Sequence, residues 1–140
     1  MPGPRQPLVA VLNNDPDLIN LLATWLETHG IRVVCASLTD FRRGHEDVAA
    51  FLLRHAPTVL LLDLGMPYGP NWDYLNALRL IPETAGVPIV VTTGNKTALE
   101  RAVGVTDAIE LSGTVENLGT LTRAILAAHE TGSIVGPDLT

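Results

Sequence analysis

Short runs of aliphatic and β-branched residues alternate along the chain with segments whose apolar positions recur every three or four residues. The first rhythm belongs to a buried strand and the second to an amphipathic helix, so their alternation predicts βαβ units and a parallel sheet. Leu8 to Leu12, Ile31 to Ala36, Thr58 to Leu64, Val87 to Thr93 and Ala108 to Ser112 read as strands. Asp15 followed by Pro16 marks a helix start, an N-cap and then proline at the first helical position; Leu18, Leu22, Trp25 and Leu26 form its stripe and Gly30 closes it. A second helix puts Val48, Phe51, Leu52 and His55 on one face and stops at Pro57. Beyond the loop Gly65 to Asn71, a helix of roughly two to three turns reaches Leu80. Lys96 to Val103 is a short helix, and Leu118, Leu121, Ile125 and Ala128 place the last one, with Gly132 as its stop. Residues 1–132 therefore read as one domain and residues 133–140 as a flexible tail.

Five strands alternating with helices predict a doubly wound (βα)5 sheet of the flavodoxin-like order 2-1-3-4-5, in which ligands bind beyond the strand C-termini where the winding reverses. Strands one and three flank that point. Their ends carry Asn13, Asn14 and Asp15 on one side and Asp63 on the other, with Thr92 and Thr93 closing the neighbouring fourth strand.

Composition narrows the chemistry. With 140 residues, 46% of them hydrophobic, the chain suits a single core. A net charge of -6, with Lys96 the one lysine among nine dispersed cations, argues against nucleic acid, whose recognition rests on clustered cations. Cys35 is alone, which excludes an internal disulfide, and in its strand it reads as a buried apolar residue. No apolar run approaches the ~20 residues of a membrane span. Met1 to Pro7 lacks the pattern of a signal peptide, so a cytoplasmic location is expected. His29, His45, His55 and His129 lie far apart without an HExxH pair, and G-x-S-x-G, P-loop and G-x-G-x-x-G signatures are absent, so the chain is expected not to be an enzyme.

Three segments together carry a family resemblance: Val11-Leu12-Asn13-Asn14-Asp15-Pro16-Asp17-Leu18, Leu61-Leu62-Asp63-Leu64-Gly65-Met66-Pro67 and Pro88-Ile89-Val90-Val91-Thr92-Thr93-Gly94. In type and spacing they resemble the receiver domains of two-component response regulators, the Asp-x-x-Met-Pro element being the most specific. The resemblance implies that Asp63 is the phosphate acceptor of a phosphorelay and that Thr93 is the hydroxyl that contacts the phosphoryl group. It also implies a histidine kinase or other signalling protein as partner, and a homodimer through the last strand and helix, where Ala124, Ala127 and Ala128 lie.

The departures from that pattern matter as much. Family members carry a carboxylate pair at the positions of Asn13 and Asn14, which with the acceptor holds Mg2+. Two neutral amides leave Asp63, with Asp15 as a weak supplement and Asn14 as a degenerate position, so magnesium binding is expected to be weak or absent. The lysine that the family pairs with the phosphoryl group falls on Leu111 or on Thr114, depending on the direction of counting, and the switch aromatic on Ala108 or Leu111. Such a chain resembles an atypical or pseudo-receiver, whose phosphorylation is weak and whose protein binding is independent of it. Two other readings stand beside this one. A flavodoxin-like module could take a small anion at the uncharged Asn13-Asn14 mouth, or a receiver could still work through metal held by Asp15 and Asp63.

Several of these residues also have plainer roles. Asp15 before Pro16 is first of all a helix cap, and Asn13 and Asn14, taken without the resemblance, read as turn residues that bond nearby backbone groups. Lys96 beside the candidate site reads chiefly as a solvated first-turn residue, with replacement of the missing cation as its minor role. Tyr68 and Trp72 in the loop beyond Asp63 are read equally as binding anchors and as residues packed on the sheet.

Overall fold

A computed structural model of the chain describes residues 6–111 and 115–134, the last-mentioned segment with backbone alone at 115, 116 and 132–134. The strands are β1 (Leu8–Asn13), β2 (Arg32–Ser37), β3 (Val59–Asp63), β4 (Ile89–Thr93) and β5 (Ile109–Glu110). They form one parallel sheet in the order β2-β1-β3-β4-β5. The helices are α1 (Pro16–Thr28), α2 (Leu38–Arg42), α3 (Val48–His55), α4 (Tyr68–Leu80), α5 (Lys96–Val103) and α6 (Val115–Ile134), with a 3-10 turn at Pro82–Thr84.

Strand periodicity sorts the core into two layers. Leu60 and Leu62 face one side with Ala10 and Leu12, against Phe41, Phe51, Leu75 and Leu99 of α2 to α5. Val59 and Leu61 face the other with Val9 and Val11, against Leu22 and Leu26 of α1 and Leu121 and Ile125 of α6. β1 and β3 are buried on both faces, as central parallel strands must be, which is why they read as unbroken apolar runs. No helix among the described residues is long and apolar enough to cross a membrane.

The sequence signals place most boundaries within a residue or two, and the exceptions have physical causes. The stretch between β2 and α3 holds a further helix, α2, capped by Ser37, whose Oγ accepts from the Asp40 N–H at 3.2 Å. Ser37-Leu38-Thr39-Asp40 has the spacing of a capping box, but five residues are too few to show a helical period. The helix expected after Asn71 begins at Tyr68, four residues ahead of the expected start at Trp72, because Pro67 tolerates the N-cap position. The last helix runs two residues past Gly132, whose cost in a helix of about 1 kcal/mol does not outweigh continuation. Cys35 is exposed, not buried: β2 is an edge strand whose outer half the helices leave uncovered. Ser112 and Thr114, and the tail from 135 onward, lie outside the described residues.

Candidate functional site

Register brings the polar strand ends together. Leu12 pairs with Leu62 and Asp63 with Thr92, so β1, β3 and β4 finish side by side at the point where the winding reverses. Above them opens a cleft of about 350 Å3, to which the β1–α1 turn contributes Asn13, Asn14 and Asp15, α2 contributes Arg42, β3 contributes Asp63 and α4 contributes Asn71. A second hollow of about 400 Å3 lies on the far side of that turn, against Ile19, Cys35 and Ser37, and Asp63 does not line it. The chemistry therefore sits in the smaller cleft.

Asp63 is partly buried at the mouth of β3, and the Thr92 hydroxyl donates to its Oδ1 at 2.8 Å. Burial pushes the Asp63 carboxyl above its ordinary value; the Thr92 bond opposes this and the charge of Asp15 adds to it. The ion pairs between described side chains, His45–Asp40 and Arg54–Glu46, are elsewhere, so Asp63 has no cation partner among the described residues.

Thr93, expected to be the hydroxyl facing the acceptor, is turned away from it. Successive strand residues point to opposite faces, and Thr93, fully buried, donates its hydroxyl to the Leu64 carbonyl at 2.8 Å. Thr92 holds the position beside Asp63, and the alternation of side chains along β4 is the signal that separates the two threonines.

Asn13 takes the plainer turn role, and Asn14 reaches further along the chain. Asn13 Oδ1 accepts from the backbone N–H groups of Asn14 at 2.6 Å and Asp15 at 3.0 Å, closing the turn after β1. Asn14 Oδ1 accepts from the Thr39 N–H at 2.8 Å and from the Ser37 hydroxyl at 3.3 Å, tying the turn to the start of α2. Asp15 is the N-cap of α1, its Oδ1 accepting from Asp17 N–H at 3.0 Å and Leu18 N–H at 3.4 Å. What Asn13 leaves over is Nδ2, a donor without a partner among the described residues, on a residue only 7% exposed. An unpaired buried donor costs about 1–3 kcal/mol.

This donor set does not fit magnesium. The ion takes oxygens in near-octahedral geometry at about 2.0–2.1 Å and prefers carboxylates. Both amide oxygens are spent on backbone N–H groups and the Asn13 Nδ2 is a donor, not a ligand, which leaves Asp63 and one oxygen of Asp15. Among the described residues no group of three or more His, Cys, Asp or Glu side chains gathers anywhere.

Other candidate residues divide. Lys96 opens α5, its backbone N–H donating to Glu110 Oε1 at 2.9 Å, and it does not line the cleft. Leu111 follows β5 directly, its N–H donating to the Thr93 carbonyl at 2.8 Å, and Ala108 is buried in the core. Tyr68 and Trp72 are partly buried and pack against the core, so the packed reading of the aromatic loop holds. Two residues of the cleft escaped the sequence. Asn71 anchors the loop above Asp63 by donating Nδ2 to the Gly65 carbonyl at 2.8 Å, and its Oδ1 accepts from the Arg42 guanidinium. Arg42 also lies 5.6 Å from the centroid of the Tyr74 ring. The capping box that announces α2 would have brought Arg42 to notice.

No family model matches the chain, and no curated protein does. Solved structures match well. A sensor protein from Polaromonas sp. JS666 is 21% identical with a TM-score of 0.68, covering 91% of this chain and 99% of that one. The chemotaxis response regulator CheY4 of Vibrio cholerae is 19% identical with a TM-score of 0.62, covering 86% and 99%. A CheY-like response regulator receiver domain protein from Methanospirillum hungatei JF-1 is 15% identical with a TM-score of 0.67, covering 94% and 100%. The chain has the CheY-like receiver fold over nearly its whole length.

Proposed function

We propose that this chain is a receiver-like signalling module, a protein-interaction switch with Asp63 at the acceptor position that works without magnesium. The observation that carries the second half is the direction of the Asn13 and Asn14 amides. Where a metal-dependent receiver needs oxygens aimed at the acceptor, this chain aims them at its own backbone. Support for the first half comes from the receiver fold and from the Thr92–Asp63 pair at the reversal point of the sheet.

Phosphoryl transfer to a carboxylate leaves charge on the transferring group that a cation normally offsets. With neither a fitting metal site nor a cation paired to Asp63, transfer from a phosphohistidine or a small phosphodonor is slow or lost. Output then rests on protein binding through the β5–α6 side, where Ala127 and Leu126 are exposed and Ala124 partly so; the partner is a kinase, another signalling protein or a second copy of the chain.

Incubation of the purified protein with acetyl phosphate, with and without Mg2+, read by intact mass, tests this directly. The expected result is no adduct, or a trace that magnesium does not raise. A stoichiometric, magnesium-dependent adduct abolished by Asp63→Asn would mark a working metal-dependent receiver and end the proposal.

A further inference from the structure

The two edges of the sheet are finished differently. β5 closes one with two residues, Ile109 and Glu110, short and charged as guarded edges are. β2 closes the other with six, Arg32–Ser37, paired with β1 along its whole length and with no strand on its outer side among the described residues. The Arg32 N–H donates to the Pro7 carbonyl at 2.9 Å, so Arg32, Val34 and Ala36 turn their backbone groups to β1, while Val33 and Cys35 turn theirs outward. Nothing in the strand guards that edge: beyond Arg32 it holds no charge and no proline, and its unbroken register leaves no bulge. The hollow of about 400 Å3 bounded by Ile19 and Cys35 leaves the α1 side of the strand open, and Cys35 is exposed in mid-strand.

We propose that β2 is a docking edge for a second copy of this chain, the two β2 strands pairing antiparallel across a two-fold axis at Val34 so that two five-stranded sheets become one.

The pattern of the strand selects this occupant and this register. With Val34 opposite Val34 of the second copy, Val33 opposes Cys35 and exchanges both N–H···O bonds with it; the symmetry repeats the exchange, so every outward backbone group of the two residues is satisfied. An axis at Cys35 would instead call on the carbonyl of Ser37, the N-cap whose C=O begins α2. Charge agrees with the first register. Arg32 shares its face of the strand with Val34 and Ala36, which pack in the layer that α2 covers. Opposed to Ala36 of the second copy, Arg32 comes up beside the start of that copy's α2, where the half-exposed Asp40 stands in the first turn, and the axis makes this pair twice. A parallel pairing in register would set Arg32 against Arg32. The opposite edge, with β5 and α6, stays free for the partner of the switch.

Sedimentation equilibrium of the full chain, under a reductant that keeps Cys35 from linking copies covalently, tests this together with hydrogen exchange. A monomer–dimer equilibrium is expected, in which the Val33 and Cys35 amides gain protection as concentration rises and the other strands do not change. Cys35→Lys sets like charges close to the axis, and Cys35→Pro removes an outward donor without touching a bond to β1; each should raise the dimer Kd about tenfold or more, with thermal unfolding verifying the fold. Arg32→Glu and Asp40→Arg, both on the surface, should each weaken the dimer, and together should recover part of it. A monomer at every concentration would overturn the proposal and leave the edge to a strand of another protein. A dimer indifferent to the Cys35 variants would overturn it and move the contact elsewhere, as to the β5–α6 side, and failure of the paired charge exchange to recover any dimer would overturn the register. The acetyl phosphate test of the switch is independent of all three outcomes.

Discussion

The strand ends on either side of Asp63 each carry two adjacent polar residues of one kind, and the fold uses the two pairs differently. At the end of β4 the pair is split: Thr93 donates inward to Leu64 and binds strand to strand, while Thr92 donates to Asp63. At the end of β1 both members serve the scaffold, Asn13 closing the turn and Asn14 holding α2. One arm of the cleft addresses Asp63, and the other holds the turn and α2. An amide oxygen suits that scaffold role, since it satisfies backbone N–H groups without importing charge.

The sharpest way to break that contrast is to return the charge. Asn13→Asp with Asn14→Asp keeps one oxygen at each position for the backbone and sets the second free. At an effective dielectric of about 20, each added charge at ~4 Å from a divalent ion contributes several kcal/mol before desolvation. Magnesium affinity of the double variant should therefore rise by orders of magnitude, seen as a Mg2+-dependent thermal shift that the parent chain lacks. A parent chain that already shows the shift would mean that its amides reorient for the ion, and the contrast between the arms would fail.

Within the β4 arm, replacing each threonine separately measures how far the pair is divided. Thr93→Val leaves a buried carbonyl at Leu64 without its partner and should cost about 2 kcal/mol in urea unfolding. Thr92→Val removes an equally buried hydroxyl, but its partner Asp63 is only partly buried and can turn to water, so it should cost less than about 1 kcal/mol, while moving the Asp63 carboxyl further up, because the bond that opposes its burial is gone. Equal losses from the two variants would show that the threonines are interchangeable and that the inward bond of Thr93 carries no special weight.

How much of this the sequence discloses follows the range of the interactions. The sheet order and the positions of Asp63 and Thr92 rest on strong local signals, apolar runs with period two and turn residues at their ends, and these reach the structure intact. Which threonine faces the acceptor was also written in the chain, one register step along β4, but needs the face of the strand and not merely its end. The turn role of Asn13 is legible from its residue type, because its bonds reach only the next two residues; the direction of the Asn14 amide is not, because it depends on the Thr39 N–H at the start of α2. Arg42 was hidden twice over: its helix is too short for periodicity, and its place in the cleft depends on Asn71, on an element 29 residues away.

The β1 arm contains its own gradation. Asn14→Ala removes the bond to Thr39 and the weaker one to Ser37, both at an exposed position, and should cost about 1 kcal/mol in denaturant unfolding, with α2 losing hydrogen-exchange protection before the rest of the chain. Global loosening without early exposure of α2 would detach Asn14 from the role of holding that helix.

The smallest effect belongs to Asp63 itself and appears as a dependence on pH. Burial holds the Asp63 carboxyl above its unfolded value, so in the window between the ordinary carboxylate range and the raised folded value the native state binds the proton that the unfolded state has released. Ionised Asp63 is therefore a liability to the fold at neutral pH, and the liability is relieved as pH falls through that window. Asp63→Asn removes the charge while keeping an oxygen for Thr92, so it should raise the melting temperature near neutral pH, with the gain over the parent chain shrinking in acid. Melting curves of both proteins from neutral pH downward check this. A gain that stays constant with pH would mean that the charge of Asp63 is already compensated in the folded state by a cation drawn into the cleft, which Arg42 lines.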